Sequence, residues 1–278
     1  MKLRKDPLLV VGIVFLGLLA MFAIFGPTMR HHYLDQVAKP HLPMGSDYWF
    51  GTDELGRDIF ARIAYGARIS ISIGLIVQAF SLLVGILMGV LGTFAPRWIR
   101  MIVLRLTDGM FAFPDILLAI LIVGVLSTSK GLFSGTFGNM LPVILALAIA
   151  SWPSITRLTV TQLASIKDRE YVVAAKAMGA STFYLVRKHI LPQLWGTLLA
   201  VSMVDLAGTI LAESTLSFLG IGVRPPDPSW GSMINNARAE LSSYPMTIVW
   251  PCLFLSASIF ALNFVGDGLR AMLDPKSK

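Results

Sequence analysis

The chain has 278 residues, of which 55% are hydrophobic and 14% are charged. Soluble domains carry about 25% charged residues, so this composition excludes an ordinary soluble globular protein and indicates an integral membrane protein. A net charge of +7 would suggest nucleic acid in a soluble chain, but here the basic residues concentrate in particular loops and indicate membrane topology. The single cysteine, Cys252, excludes an internal disulfide or a cysteine-based metal cluster.

Six apolar runs approach or exceed the ~20 residues that cross a hydrocarbon core, and the alternating pattern of a membrane β-barrel is absent. They cover about 8–25, 69–95, 110–126, 139–155, 194–221 and 246–265. We therefore predict an all-α, polytopic membrane helical bundle with six transmembrane helices. Residues 1–68 are expected to form an N-terminal anchor helix and an external loop, and residues 69–278 a core of five transmembrane helices. In the second run, the Gly85-Ile-Leu-Met-Gly89 spacing favours close helix approach.

The loop charges predict the topology. The first run is too long for a signal peptide and is not followed by a cleavage site, so we interpret it as a retained anchor with its N-terminus inside. The inner loops then hold an excess of Lys and Arg over the outer loops, as the positive-inside rule expects. We expect a multi-pass protein of the cytoplasmic (inner) membrane, embedded in the lipid bilayer, with both termini in the cytoplasm.

A polar segment of about residues 157–193, called the elbow below, separates the fourth and fifth runs. Its part from Glu170 to Gly179 is rich in helix formers and ends at a glycine that suits a helix C-cap. A second helix is expected over 183–189, with Pro192 beginning the next span. The elbow is either a docking surface for a partner, which its small residues would let approach closely, or an amphipathic hairpin on lipid headgroups. Both interpretations remain open on physical grounds.

The elbow contains three short sequence motifs in this order: Ala174-Ala175, then Gly179, then Ile190-Leu191-Pro192. This order resembles the EAA loop of permease subunits from binding-protein-dependent ABC importers, in which the loop forms the coupling helix that seats in a cleft of the cytoplasmic ATPase. The resemblance implies ATPase coupling for seven residues: Glu170, Ala174, Ala175, Gly179, Ile190, Leu191 and Pro192.

The elbow departs from the EAA pattern at two positions. Val173 stands where the pattern has glutamate, and His189 stands at the usual isoleucine position. Glu170 lies about one turn earlier than Val173 and is the candidate for the missing charge.

Further stretches resemble the C-type permease of the dipeptide/oligopeptide/nickel ABC importers over almost the whole chain. They are Phe50–Asp58, Tyr65–Ser70, Phe113-Pro114, Ser217–Gly222, Pro228–Gly231 and Ala261–Arg270. The resemblance implies the type I ABC importer permease fold. It also implies a heterodimer with a related permease, two ATP-binding cassette subunits and an extracytoplasmic substrate-binding protein.

The sequence has no G-x-x-x-x-G-K-[ST] phosphate loop and no spacing typical of a catalytic site. We therefore expect no enzymatic activity, no catalytic residue, no metal site and no cofactor bound by this chain. ATP and Mg are expected on the partner subunits, and nucleic acid is not an expected partner.

Two acidic residues, Asp205 and Glu213, lie in the fifth run, where a charge is costly and tends to face the bundle interior or a cavity. A separation of eight residues places them about 80° apart around a helix. They either line the substrate path, where one would bind a peptide amine or a metal cation, or hydrogen bond to neighbours such as Ser202 or Thr209. Asp115 is expected at the membrane surface beside the third run.

Two outer stretches, 51–58 and 230–240, either receive the substrate-binding protein or simply cap the bundle. The candidate binding-protein-facing residues are Asp53, Gly56, Arg57, Asp58 and Trp230. The resemblance implies import of di- or oligopeptides by ATP-driven alternating access, with nickel or a metal-chelator complex as the alternative cargo. A secondary transporter or channel and a non-transporting scaffold are further alternatives.

Overall fold

The computed structural model describes residues 6–127 and 135–273, and regular secondary structure within these ranges is helical. The prediction of an all-α membrane bundle is confirmed. The helices are α1 (Pro7–Met29), α2 (Ile59–Phe94), α3 (Arg97–Phe111), α4 (Asp115–Ser127), α5 (Gly135–Ile166), α6 (Glu170–Ala177), α7 (Thr182–Leu185), α8 (Leu191–Phe218), α9 (Trp230–Ala237) and α10 (Met246–Leu273). A π-helical turn, Val186–Ile190, joins α7 to α8. Six basic residues used in the topology prediction lie outside the described residues: Lys2, Arg4, Lys5, Lys130, Lys276 and Lys278.

Five helical segments are long and apolar enough to cross a membrane: α1, α2, α5, the continuous run from α7 through α8, and α10. The pair α3 and α4 passes the same test together but is bent by 92° at its break, so it supplies a sixth span if it counts as one. The predicted basic connector is thus the helix α3, and the helix of the third run begins at Asp115 rather than near Met110. The break coincides with Phe113-Pro114. A proline disfavours the helical conformation of the residue that precedes it, which here is Phe113.

Helix α2 begins ten residues before the predicted span. Asp58 caps its N-terminus, accepting a hydrogen bond from the Phe60 backbone N–H at 2.9 Å. The basic residues in this first part find partners inside the chain: Arg62 is buried against Asp53, and Arg68 donates to backbone carbonyls of α1. The predicted division at residue 68 therefore falls inside α2.

Helices α2 and α5 pack closely and in parallel through the predicted glycine pair. A Cβ at Gly85 would lie 2.6 Å from Ile155 Cβ, and a Cβ at Gly89 would lie 2.5 Å from Thr159 Cβ. The expected close approach is confirmed. At a rise of about 1.5 Å per residue, α2 is about 54 Å long, which exceeds a hydrocarbon core of about 30 Å.

The two ends of α2 lie beside different structures. At its N-terminal end it packs against α9 and the 30–58 segment, with Trp230 buried next to Ile63. At its C-terminal end, Val90 and Phe94 pack on the buried apolar cluster of the elbow. The elbow and the 30–58 segment therefore lie at opposite ends of the bundle. Helix α1 runs antiparallel to α10, with Leu9 beside Gly268, so both described chain ends lie at the elbow end.

Candidate functional site

The first helix of the elbow is α6, and it ends in a Schellman motif. Gly179 adopts φ +87°, and its backbone N–H donates to the Lys176 carbonyl at 2.9 Å. The Ala180 N–H donates to the Ala175 carbonyl at 3.0 Å. These two bonds satisfy carbonyls that a helix end leaves unpaired, and the left-handed φ explains the glycine. The predicted C-cap role of Gly179 is what the structure shows.

The second helix of the elbow continues into the membrane-spanning helix α8 without a break. Ser181 caps α7 by accepting a hydrogen bond from the Tyr184 N–H at 3.2 Å. The π-helical turn follows, and Pro192 lies in the first turn of α8, where a proline costs no helix hydrogen bond. Helix α7, the π-helical turn and α8 therefore form one continuous helical run.

The elbow is held to the bundle by buried apolar side chains. Val172 of α6 and Leu185 of α7 are buried in one cluster with Ile190 and Leu194. Leu191 is half-buried and packs against the same cluster. Ile190 and Leu191, which the resemblance assigned to coupling, thus lie on the inner side of the elbow.

The exposed side of the elbow carries large apolar side chains. Met178 is 82% exposed, Phe183 is 73% exposed, and Val173 is also exposed. A groove between α6 and α7 is lined on its two sides by Tyr171 and Tyr184. None of these large side chains was among the seven predicted coupling residues. The sequence signal that could have found them is the presence of large apolar residues inside a charged segment. Their helical spacing places them on a different face from the residues of the buried cluster.

The other predicted coupling residues fall on or near this surface. Glu170 is the first residue of α6 and is exposed, where a carboxylate is favoured by the helix dipole. Ala174 and Pro192 are exposed, and Ala175 is half-buried at the edge of the groove. Their contact with an ATPase remains a prediction.

A cavity of about 270 Å³ lies between α2, α4, α5 and α8. Asp205 of α8 and Asp115 of α4 both line it, and Gln78 of α2 lines it from a third side. Asp115 is an exposed residue at the start of α4, and its predicted place at the membrane surface stays a prediction. The predicted rival partner Thr209 also lines the cavity, but its hydroxyl donates to the Asp205 backbone carbonyl and not to the carboxylate.

Glu213 does not reach this cavity. Its side chain is fully buried and accepts hydrogen bonds from three hydroxyls: Ser70 at 2.9 Å, Ser217 at 2.7 Å and Ser214 at 3.3 Å. These contacts match the alternative of hydrogen bonding to polar neighbours, and its place on the substrate path stays a prediction. The rival partner named from the sequence, Ser202, instead donates to the Leu198 carbonyl.

The five candidate binding-protein-facing residues are structural as well. Asp53 is buried and accepts hydrogen bonds from two backbone N–H groups and from Arg57 Nε, the last at 2.7 Å. Asp58 caps α2 and is buried, with His31 Nδ1 3.3 Å from its carboxylate. Gly56 has φ +74°, and a Cβ there would lie 2.1 Å from the carbonyl oxygen of Ala38.

The fifth of these residues, Trp230, is fully buried, and its indole N–H donates to the Ile63 carbonyl at 3.3 Å. These contacts fit the alternative of capping the bundle, and a role in facing a binding protein stays a prediction. A second hydrogen bond stabilises this end of the bundle, opposite the elbow: Tyr33 Oη donates to Asp227 at 3.0 Å. Burial, and then hydrogen bonds to Tyr65 and Asp227, raise the pKa of Tyr33 above its ordinary value, so the phenol keeps its proton.

Residues 81–278 match the family described as "Binding-protein-dependent transport system inner membrane component". The chain belongs to this family. Within the 6–127 and 135–273 ranges, no three or more His, Cys, Asp or Glu side chains form a group that could hold a metal ion. This inner membrane component is a binding-protein-dependent ABC permease with several membrane-spanning helices.

Similar proteins agree with this membership. The inner membrane component is 37% identical to the oligopeptide transport system permease protein OppC of Bacillus subtilis (strain 168), over 99% of this chain and 88% of the relative. It is 34% identical to the dipeptide transport system permease protein DppC of the same organism, over 99% and 84%. It is also 34% identical to the glutathione transport system permease protein GsiD of Escherichia coli O6:K15:H31 (strain 536 / UPEC), over 100% and 89%.

The fold has a solved counterpart. A chain from an inward-facing conformation of the MetNI methionine ABC transporter superimposes with a TM-score of 0.62, covering 77% of this chain and 96% of that chain. The two sequences are 18% identical. The likeness confirms the predicted type I permease fold.

Proposed function

We propose that this chain is the permease subunit of an importer that carries di- and oligopeptides across the cytoplasmic membrane by ATP-driven alternating access. The names of the similar permeases, which are described for oligopeptides, dipeptides and glutathione, support a peptide cargo. Nickel or a metal-chelator complex is the alternative, which the experiment below distinguishes from peptides.

The observation that carries the proposal is the exposed apolar surface of the elbow. Large apolar side chains gathered on a water-facing helical hairpin mark an interaction site, and helices commonly bind partners by laying such a face into a groove. Met178 and Phe183 project from this surface, and Glu170 lies at the start of the same helix. A separate ATP-binding subunit is the partner that this surface fits in an ABC permease.

The route from the elbow to the membrane supports coupling. The run from α7 through the π-helical turn to α8 is continuous, and α8 carries Asp205 to the cavity wall. ATP binds the open and closed states of the partner subunits with different affinities. This difference supplies the free energy that closes the subunits and moves α8. In this scheme ATP and Mg stay on the partners and the present chain is not an enzyme.

The remaining partners follow from the same arrangement. A related permease forms the other half of the pathway, two ATP-binding cassette subunits contact the two elbows, and an extracytoplasmic binding protein delivers the peptide to the opposite end. Because both described chain ends lie at the elbow end, the N- and C-termini are then cytoplasmic.

The test changes one exposed side chain of the elbow. The chain carrying Met178→Asp is expressed with its partner permease, ATP-binding subunits and binding protein, and the ATP-binding subunits that co-purify are measured. We expect them to be lost while the two permeases still assemble. Met29→Asp is the matched control, because Met29 is also exposed but lies at the opposite end of the bundle. Retention of the ATP-binding subunits by both Met178→Asp and Phe183→Asp would contradict the proposal.

The cargo is tested on the wild-type complex in proteoliposomes. Uptake of a labelled dipeptide and a labelled pentapeptide is compared with uptake of nickel, each in the presence of the binding protein and ATP. Peptide uptake that stops without ATP supports the proposal. Uptake of nickel alone would replace the peptide cargo with the metal, and uptake of any cargo without ATP would indicate a secondary transporter.

A further inference from the structure

The cavity between α2, α4, α5 and α8 has polar groups of a particular kind. Two of its lining side chains, Asp115 and Asp205, are carboxylates from different helices, and they only accept hydrogen bonds when ionised. Asp205 is half-buried and Asp115 is exposed, and neither carboxylate has a side-chain partner among the contacts of the described residues. Charged groups inside a membrane protein typically mark a substrate path or pair with an opposite charge. A cationic group of a ligand would provide that opposite charge.

Gln78 is an independent sign of a ligand. Gln78 is 5% exposed and lines the cavity. Its Nε2 has no hydrogen-bond partner within residues 6–127 and 135–273. A buried amide N–H group without an acceptor is costly, so such a group in a native structure needs an explanation. A ligand atom that accepts a hydrogen bond would satisfy it.

The required ligand thus combines a cation with a neighbouring acceptor. We propose that the cavity binds the amino-terminal residue of a peptide, with the α-ammonium group between Asp205 and Asp115 and the first peptide carbonyl accepting from Gln78 Nε2. This rests on the proposed function, and it adds the chemical group that the permease itself recognises. The first residue of every peptide carries both features, whatever its side chain, so the site accepts many sequences.

The same cavity suits a bare metal cation less well. A divalent cation would satisfy the two carboxylates, but it would leave the Gln78 Nε2 donor unpaired, because an N–H group does not coordinate a metal. A peptide satisfies all three groups. The cavity of about 270 Å³ is large enough for an amino-acid residue.

The test measures binding to the permease without the binding protein, which would otherwise impose its own selectivity. The complex of this chain with its partner permease and ATP-binding subunits is placed in nanodiscs, and binding of labelled alanyl-phenylalanine is compared with that of the N-acetyl form. Acetylation removes the positive charge and should weaken binding to the wild type about ten- to hundredfold, the range for a lost hydrogen bond to a charged group. Equal binding of the two forms would overturn the proposal.

Variants then assign the effect to the cavity. Asp205→Asn and Asp115→Asn should each weaken binding of alanyl-phenylalanine about ten- to hundredfold and leave that of the N-acetyl form unchanged. Gln78→Leu should weaken both forms to a similar extent, because both keep the carbonyl. Asp267→Asn, the same change at an exposed position of α10, should alter neither. If one variant does not assemble, the other two and the acetylation comparison still decide.

Three further outcomes separate this site from the proposed function. If Ni²⁺ competes with alanyl-phenylalanine at the wild-type cavity while acetylation has no effect, the site binds a cation and the inference is wrong. If proteoliposomes with the binding protein take up the dipeptide equally with wild type and Asp205→Asn, the site proposal fails and the peptide importer stands. If the wild type takes up no peptide at all, the proposed function itself fails.

Discussion

Ser70 of α2 donates a hydrogen bond to Oε2 of Glu213 in α8 over 2.9 Å, and both residues are fully buried. The same hydroxyl oxygen lies 3.4 Å from the backbone N–H of Trp230, the first residue of α9. One serine and one buried carboxylate thus connect three helices. This arrangement explains why an acidic residue is tolerated inside a membrane-spanning helix: it is surrounded by donors.

The first prediction follows from this contact. Glu213→Ala removes the acceptor of three buried hydroxyls, and each polar group left unsatisfied costs about 1–3 kcal/mol. We expect a large fall in thermal stability and loss of assembly with the partner permease, measured by the melting temperature and size-exclusion profile of the purified complex. Glu213→Gln keeps one carbonyl oxygen as acceptor and should retain assembly. A stable, assembled Glu213→Ala complex that lacks only transport would show that Glu213 belongs to the substrate path after all.

The second prediction concerns Gly179. Its φ of +87° is unfavourable for an L-residue with a Cβ, whereas a Cβ there would have no neighbour within 4 Å. Gly179→Ala should therefore destabilise the end of α6 by about 1–2 kcal/mol through backbone strain alone. Gly179→Asn should cost less, because asparagine tolerates this conformation. Binding of the ATP-binding subunits to the purified permease, titrated for each variant, measures the difference, and equal losses for both would refute the strain argument.

A third prediction tests the packing of α2 on α5. Gly85→Ala places a methyl group 2.6 Å from Ile155 Cβ, so the two helices must move apart, and overpacking of this kind typically costs about 1–3 kcal/mol. Gly17→Ala in α1 is the control, since a Cβ there meets nothing within 4 Å. Thermal unfolding of the two variants in the same detergent should show a lower midpoint for Gly85→Ala only. Adding Ile155→Ala should restore part of the loss, because it removes the side-chain atoms beyond Cβ that press on the new methyl group.

A fourth prediction concerns the end of the bundle opposite the elbow. Asp53→Ala removes the carboxylate that neutralises the buried Arg62 and holds Arg57, and breaking a buried ion pair costs about 3–5 kcal/mol. We expect poor accumulation in the membrane and a lowered melting temperature even when no binding protein is present. Asp35→Ala, an exposed acid of the same segment, should change neither quantity. Normal stability of Asp53→Ala with impaired docking of the binding protein would instead favour a role in recognition.

The elbow shows how far local sequence signals reach. The order of helix formers, glycine and proline predicted α6, its end at Gly179 and the position of Pro192, because capping and backbone preferences act over a few residues. The same signals did not reveal that Ile190 points inward and Met178 outward. That difference depends on which face of the hairpin meets α2 and α5, and those helices are distant in the sequence.

The outer segment shows the opposite case. Asp53, Arg57 and Asp58 belong to a charged outer stretch, which the sequence predicts either to receive the binding protein or to cap the bundle. In the structure the 30–58 segment folds back on the start of α2, buries Asp53 and Asp58, and pairs Asp53 with the half-buried Arg57. Such pairing is invisible in the pattern of residues, because it depends on the path of the chain.

By itself, the amino-acid sequence determined that this protein is a helical membrane bundle and an inner membrane component of a binding-protein-dependent transport system. Apolar length and local helix signals are properties of contiguous residues, and they survive in any arrangement of the helices. Only the tertiary structure decided that Asp205 lines a cavity with Asp115 and Gln78, while Glu213 is sealed among hydroxyls eight residues away on the same helix. The physical reason is that the role of a buried charge depends on its neighbours, and these come from helices that the chain brings together only on folding.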